Sequence, residues 1–193
     1  MQRHPAIYLS LIHHPILNKE GRVVTTSVTN FDLHDLARNA KTFGVKKVFI
    51  VTPTLAQINM VNYIKDYWEN GIGARYNPDR KEAFEILESS ETLEQACLTI
   101  KNLSGKEPLL VATTAKRLEK SAGYSVLCED IQGDRPLLLV FGTGFGLTQE
   151  FLEKADYILE PIEGAGEYNH LPVRSAVAIV LDRLVNRRKE SSL

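Results

Sequence analysis

Three stretches of the 193-residue chain carry residue types suited to holding a small polar ligand by main-chain contacts. The first is Ala112-Thr113-Thr114-Ala115-Lys116. The second is Phe141-Gly142-Thr143-Gly144-Phe145-Gly146-Leu147-Thr148, where glycines at alternate positions remove Cβ atoms and let a ligand approach the backbone. The third begins at Glu163: Gly164 and Gly166 free the backbone, and Tyr168, Asn169 and His170 offer polar side chains just before a helix. Familiar phosphate-binding patterns do not describe the second stretch. A dinucleotide fingerprint needs a full βαβ unit and an acidic residue about 20 positions on, and a P-loop needs Gly-Lys-Ser/Thr. Too little chain follows Gly146 for the first, and the second is absent. A tight strand-to-helix turn explains the same glycines, with Thr148 as helix cap and Glu150 in the first turn. A lone histidine such as His170 is more often structural than catalytic. His13, His14 and His34 with Asp32 have metal-ligating types, but adjacency is their only spacing signal, and no metal is assigned.

These loops require strands to carry them. AIYLSLIH (6–13) reads as a first strand, followed by a long irregular loop over 14–30, a length that is often functional. FDLHDLARNAKTFGV keeps Leu33, Leu36, Ala37, Ala40 and Phe43 on one helical face, with Gly44 where a C-terminal cap belongs. KKVFIVTP is a second strand and LAQINMVNYIKDYWENG a second helix, whose Trp68, Tyr63 and Tyr67 suit core or interface. Phe84 to Leu87 reads as a short strand, ETLEQACLTIKNL as a helix, and PLLVATTA (108–115) as a strand buried on both faces. Tyr124 to Ile131 reads as helical. PLLLVF (136–141), TQEFLEKA and YILEPI give strand, short helix and strand. LPVRSAVAIVLDRLVNRR closes the chain as a helix, with Val173, Ala176, Val177, Val180, Leu181 and Leu184 as its buried stripe. Alternating strands and helices imply an α/β domain with a mainly parallel sheet, and ligands collect at the carboxyl edge of such sheets.

Composition is that of an ordinary globular domain, with 44% hydrophobic and 24% charged residues. A net charge of -1 excludes a globally basic nucleic-acid coat protein, so any RNA contact is local. The best local patch is Arg183, Arg187, Arg188 and Lys189, which equally suits a solvated last helical turn. Cys97 and Cys128, the only cysteines, form no disulfide or zinc pattern. No stretch approaches the roughly 20 apolar residues of a membrane span. The apolar start is too short and too interrupted by His13 and His14 for a signal peptide. A cytoplasmic protein, one domain over 1–193, is expected.

The late segment LLLVFGTGFGLTQEFLEKADYILEPIEGAGEYNHLPVRSAVAIVLDRL resembles the SPOUT class of S-adenosylmethionine (SAM)-dependent RNA methyltransferases. It matches the class order of strand, G-x-x-x-G-L loop, short helix, strand, glycine-rich loop and polar helix entry. LHDLARNAKTFGVKKVFIV resembles the class segment with an arginine, then Ala-Phe-Gly-Val, then a strand. H-x-P-I-L-N-x-x-G, V-T-T-S-V-T-N and Y-N-H-L-x-V-R-S-A-V-A-I are similar to a bacterial subfamily found alone or fused to a tRNA guanine-N1 methyltransferase. The resemblance spans nearly the whole chain. It implies a SPOUT-like α/β knot: a mainly parallel sheet, helices on both faces and a C-terminal trefoil knot.

The resemblance also implies SAM as donor, tRNA or rRNA as substrate, and a homodimer formed through the closing helix. Adenosine would sit among the three loops, on main-chain groups near Thr113, Gly142, Gly144, Ile162 and Leu171. Thr114, Phe141, Thr143, Gly146, Leu147, Gly164, His170 and Val173 complete the expected donor site. Glu163, Asn169 and Ser175 would lie near the methionine end. Arg38 matches the arginine given a catalytic role in ribose 2′-O-methylating members, with Asn30, Asp32 and His34 beside it. His34 and Arg38 are four residues apart and share a helical face. Arginine is always protonated, so Arg38 suits orientation of a phosphate or stabilisation of charge rather than proton abstraction. Three positions depart from ribose methylators: no acidic residue stands in Gly-Thr-Gly-Phe-Gly-Leu, Asp32 replaces an asparagine, and Pro172-Val173-Arg174 replaces Asn-Val-Ser. Neither ribose 2′-O- nor guanine N1-methylation is therefore assigned. A non-catalytic knotted SAM- or RNA-binding module and a small nucleotide-binding regulatory protein are the other readings.

Overall fold

The computed structural model describes residues 5–130, 133–166 and 168–190, with side chains described over 5–128, 133–166 and 168–186. Its centre is β1 (Ile7–Ile12), buried at every position. Ile7, Leu9 and Leu11 enter one apolar cluster while Tyr8 and Ile12 enter another, so the two-residue period of the strand fills both faces of a sheet. The chain then makes a small antiparallel hairpin, β2 (Ile16–Leu17) with β3 (Val23–Val24), inside the stretch expected to be irregular. Helix α1 (Asn30–Thr42) follows. It opens with a capping box, in which Thr29 caps the Asp32 N–H and the Asp32 carboxylate accepts from the Thr29 N–H at 3.0 Å. It stops at Gly44, which takes a left-handed φ of +74° as the cap reading requires.

Next come β4 (Val48–Val51), α2 (Leu55–Glu69), α3 (Ile72–Tyr76), α4 (Pro78–Phe84) and β5 (Leu87–Ser90). The strand expected over 84–87 is thus displaced. Pro78 opens a helix capped by Asn77, whose side chain accepts from the Arg80 N–H at 2.9 Å. Phe84 closes that helix fully buried. Then follow α5 (Leu93–Ser104), β6 (Leu109–Thr113), β7 (Ser121–Ala122), α6 (Tyr124–Asp130), β8 (Leu137–Gly142), α7 (Gln149–Lys154), β9 (Tyr157–Leu159) and α8 (Val173–Glu190). β9 stops before Pro161, and α8 begins after Pro172, whose carbonyl accepts from the Ser175 and Ala176 N–H groups. Both elements are shorter at these ends than the sequence reading expected.

The strands β5-β4-β1-β8-β6-β9-β7 form one seven-stranded sheet, and every pair in it is parallel. Helices α1, α2, α4, α6 and α8 cover one face through Leu36, Val61, Phe84, Leu127 and Leu181. α5 and α7 cover the other through Ile100 and Phe151. Each such side chain removed from water contributes about 1.5–3 kcal/mol. Trp68 of α2 packs against the first cluster, while Tyr63 is 75% exposed. Cys97 and Cys128 form no disulfide, and burial pushes the Cys97 pKa up to about 11. Among the described residues no helix is long and apolar enough to cross a membrane.

Candidate functional site

Because the strands are parallel, the loops leaving β1, β8, β6 and β9 emerge at one carboxyl edge, and β8, β6 and β9 are neighbours there. The β8 loop turns tightly. Gly146 takes φ +103°, and its N–H donates to the Thr143 carbonyl at 3.0 Å. Two of its glycines answer to the chain itself. A Cβ on Gly142 would lie 2.9 Å from the Leu147 nitrogen. A Cβ on Gly144, at φ +56°, would lie 3.0 Å from Ile16 Cγ2 and 3.1 Å from the Leu17 oxygen. The missing side chains at Gly142 and Gly144 therefore make room for the loop and the β2–β3 hairpin, as the tight-turn reading requires, while the position of a Cβ on Gly146 is open.

The hairpin is bound to this loop through β2, and the stretch that follows the hairpin is bound to it through Thr26. The Leu17 N–H donates to Gly146 and the Phe145 N–H donates to Leu17, both at 3.0 Å. The Thr143 hydroxyl donates to the Ile12 carbonyl at 3.0 Å and meets the Thr26 hydroxyl at 2.5 Å. Thr26 also meets His13 Nδ1 at 3.0 Å. His13 is only 1% exposed; burial pushes its pKa down to about 4, with Asp32 acting weakly the other way. Its Nε2 is buried without a partner. The V-T-T-S-V-T-N stretch thus links the β8 loop to the start of α1.

In the β6 loop, the Thr113 hydroxyl turns inward and donates to the Val140 carbonyl at 3.0 Å, while Thr114 accepts from the Lys116 N–H at 3.1 Å. The β9 loop is tied to it by side chains: Asn169 Nδ2 donates to the Ala115 carbonyl at 3.3 Å, and Glu163 pairs with Arg117 at 2.5 Å. Among the described residues of 162–171 no main-chain group bonds to another main-chain group. Ile162 packs on the core, Leu171 is exposed, and Tyr168 stands edge-on to His170 at 5.4 Å.

The β9 loop runs directly into α8, whose first turn meets α1. Asp35, Arg38, Asn39 and Thr42 of α1 line one open polar depression with Arg174, Ser175 and Ala178 of α8. Arg174 donates to Asp35 at 3.1 Å and lies 3.9 Å from Asp32, while its carbonyl accepts from Asn39 Nδ2 at 3.3 Å. The structure therefore brings Arg38 and Ser175 together and adds Arg174, Asp35 and Asn39, which sequence reasoning did not place in the site. An arginine in the first turn of a helix, with Asp32 and Asp35 one turn apart elsewhere, was the available signal. Asn30 is exposed at the first position of α1. Asp32 is mostly buried in its capping box.

His34 goes elsewhere. Its ring stands edge-on to Trp68 at 5.3 Å and Phe84 at 4.8 Å, and Nδ1 meets Arg80 at 3.2 Å. Burial, then the Arg80 charge, lower its pKa. Helical spacing put it beside Arg38, but tertiary packing turned its ring toward α2 and α4. Among the described residues no group of metal-ligating side chains could hold an ion. Arg183 lies over the Tyr124 ring at 5.2 Å; the side chains of Arg187, Arg188 and Lys189 fall outside the described residues.

Comparison with known proteins agrees with this architecture. The model of a SAM-dependent RNA methyltransferase family matches residues 6–186. An uncharacterized protein of Aquifex aeolicus is 41% identical over 184 residues, covering 95% of this chain and 90% of that one. A tRNA (guanine-N(1)-)-methyltransferase of Oleidesulfovibrio alaskensis is 37% identical over 179 residues, covering 93% of this chain but 42% of that protein. The crystal structure of the A. aeolicus TrmH/SpoU tRNA modifying enzyme superposes with a TM-score of 0.58 at 17% identity, over 99% of this chain and 79% of that one. The last likeness is one of fold.

Proposed function

The chain belongs to the SAM-dependent RNA methyltransferase family, and we propose that it methylates a nucleotide of tRNA or rRNA in the cytoplasm, as one domain in a knotted homodimer. SAM is the donor, and when bound it supplies an electrophilic methyl group. The residues fit it. The described main chain of 162–166 and 168–171, which makes no main-chain hydrogen bond among the described residues, offers donors and acceptors to an adenine edge and ribose, with Ile162 and the exposed Leu171 as apolar contacts and the buried Phe141 and Leu147 anchoring the β8 loop beneath. In this reading Thr113 and Thr114 shape the β6 side, and Gly142 to Leu147 form a rigid floor. Gly164, Asn169, His170 and Val173 shape the β9 side, and Glu163 and Ser175 border the methionine end.

The acceptor lies over the α1–α8 depression. Arg38, exposed there and always cationic, orients a phosphate or stabilises developing charge. Asn30 borders the approach, Asp32 fixes the α1 terminus and Arg174, and His34 supports α1 from behind. The α8 entry joins donor loop and acceptor surface covalently, because Ser175 lines the depression three residues after the β9 loop ends. That adjacency carries the reading.

The test uses Arg38→Ala, with total RNA from a strain lacking the gene as acceptor. Calorimetry should give wild-type SAM affinity, while methyl transfer falls on the order of a hundredfold, the loss seen when one charge-stabilising donor is removed. Unchanged transfer removes Arg38 from the mechanism. Absence of transfer by the wild-type chain counts against catalysis and leaves a binding module.

A further inference from the structure

We propose that Phe31 is a stacking platform for one unstacked base of single-stranded RNA, an inference that rests on the RNA-methyltransferase reading above. Phe31 is 68% exposed, whereas Leu33 and Leu36 on the same helix are fully buried. The Arg174 guanidinium lies 5.4 Å from the ring centroid, and Arg174 is itself held by Asp35 at 3.1 Å. The ring is thus backed by a fixed cation while most of its surface faces solvent.

Its neighbours suit RNA. Phe31, Asp35, Arg38 and Thr42 recur at helical spacing and form one stripe of α1, whose lower part is the depression. At 1.5 Å per residue, Phe31 and Arg38 stand about 10 Å apart along the helix, so one strand can reach both. A nucleotide undergoing chemistry must leave its stack, and single-stranded bases are held on aromatic rings and arginine planes. The base lies on Phe31 and a phosphate of the same strand lies on Arg38. A second copy of this chain suits the patch less well: burying Phe31 would also desolvate Asp35, Arg38 and Arg174, with a penalty for each charge not newly paired.

The experiment measures binding of the full chain to a labelled single-stranded RNA oligonucleotide of mixed sequence, and to a duplex of the same length, by anisotropy at fixed salt. Phe31→Ala and Phe31→Leu should each weaken single-strand binding on the order of tenfold, the usual loss of one stacked base. Phe31→Trp should retain binding, and RNA should quench its emission beyond the change seen for Trp68 in the wild type. All variants should keep the wild-type unfolding midpoint, because the side chain is exposed. Wild-type affinity in Phe31→Leu overturns the platform, since leucine keeps apolar area without a ring face. So does a loss of affinity that tracks dissociation of the chain in sedimentation. If the wild-type chain binds no RNA, the functional reading fails along with the platform; if it binds RNA and Phe31→Leu has no effect, only the platform fails.

Discussion

His13 is an imidazole kept neutral by burial, and that makes a pH prediction at the scale of one residue. Its pKa falls from about 6.5 in the unfolded chain to about 4 in the fold. A folded pKa below the unfolded one means that acid favours the unfolded state. Stability should therefore drop as pH falls from about 6.5 to about 4, by about 3 kcal/mol in total, and level off below. Urea denaturation across this range should show a shallower drop for His13→Asn than for the wild type. Identical pH profiles would mean that His13 is not held neutral. His34 shifts in the same direction, and the difference between the two proteins cancels its contribution. Arg38 and His34 make a second point at this scale. They lie four apart on one helix, yet only Arg38 reaches the polar depression.

At the scale of elements, the β2–β3 hairpin braces the β8 loop, and Gly144 is where they touch. Gly144→Ala puts a side chain at φ +56° against Ile16 and the Leu17 oxygen. A cost of about 1–3 kcal/mol is expected from the strained backbone and the contact together. Gly123→Ala is the control, because its added Cβ would meet only the Glu160 side chain at 3.7 Å, an ordinary contact, its φ is not left-handed and it is not among the proposed donor-site residues. Denaturation should separate the two variants, and calorimetry should show weaker SAM binding for Gly144→Ala alone. Equal behaviour would mean that the hairpin does not buttress the loop. α1 couples the same segment to the acceptor side: Thr26 holds Thr143, and three residues later Thr29 caps the helix that carries Phe31 and Arg38.

For the whole molecule, the sheet order sets what can meet. β8 lies between β1 and β6 although it follows both in sequence, so its loop is flanked by the β1 hairpin and the β6 loop. The proposed donor site, shared by three loops, exists only in the folded chain. SAM at a hundredfold its Kd should then raise the unfolding free energy by about 2.7 kcal/mol. Its demethylated product, sharing the adenosine, should do likewise. A thermal midpoint unmoved by either ligand at millimolar concentration would contradict a donor site in these loops.

The sequence by itself determined the α/β class, the family, the parallel strands and the edge at which the loops gather. Those follow from local periodicity, from Gly44 as a helix cap, and from long motifs, all readable without knowing any contact. It misplaced the strand over 84–87, because Phe84 and Leu87 suit a short strand as well as a helix end. It also put His34 beside Arg38, because spacing fixes a helical face but not where a ring packs. Only the tertiary structure decided that Gly144 makes room for Ile16, that Arg174 is latched to Asp35 across two helices, and that Phe31 is left exposed. The partners of Gly144 and Arg174 lie 128 and 139 positions away in sequence. Contacts at that separation are set by sheet order and helix packing, which no local pattern encodes.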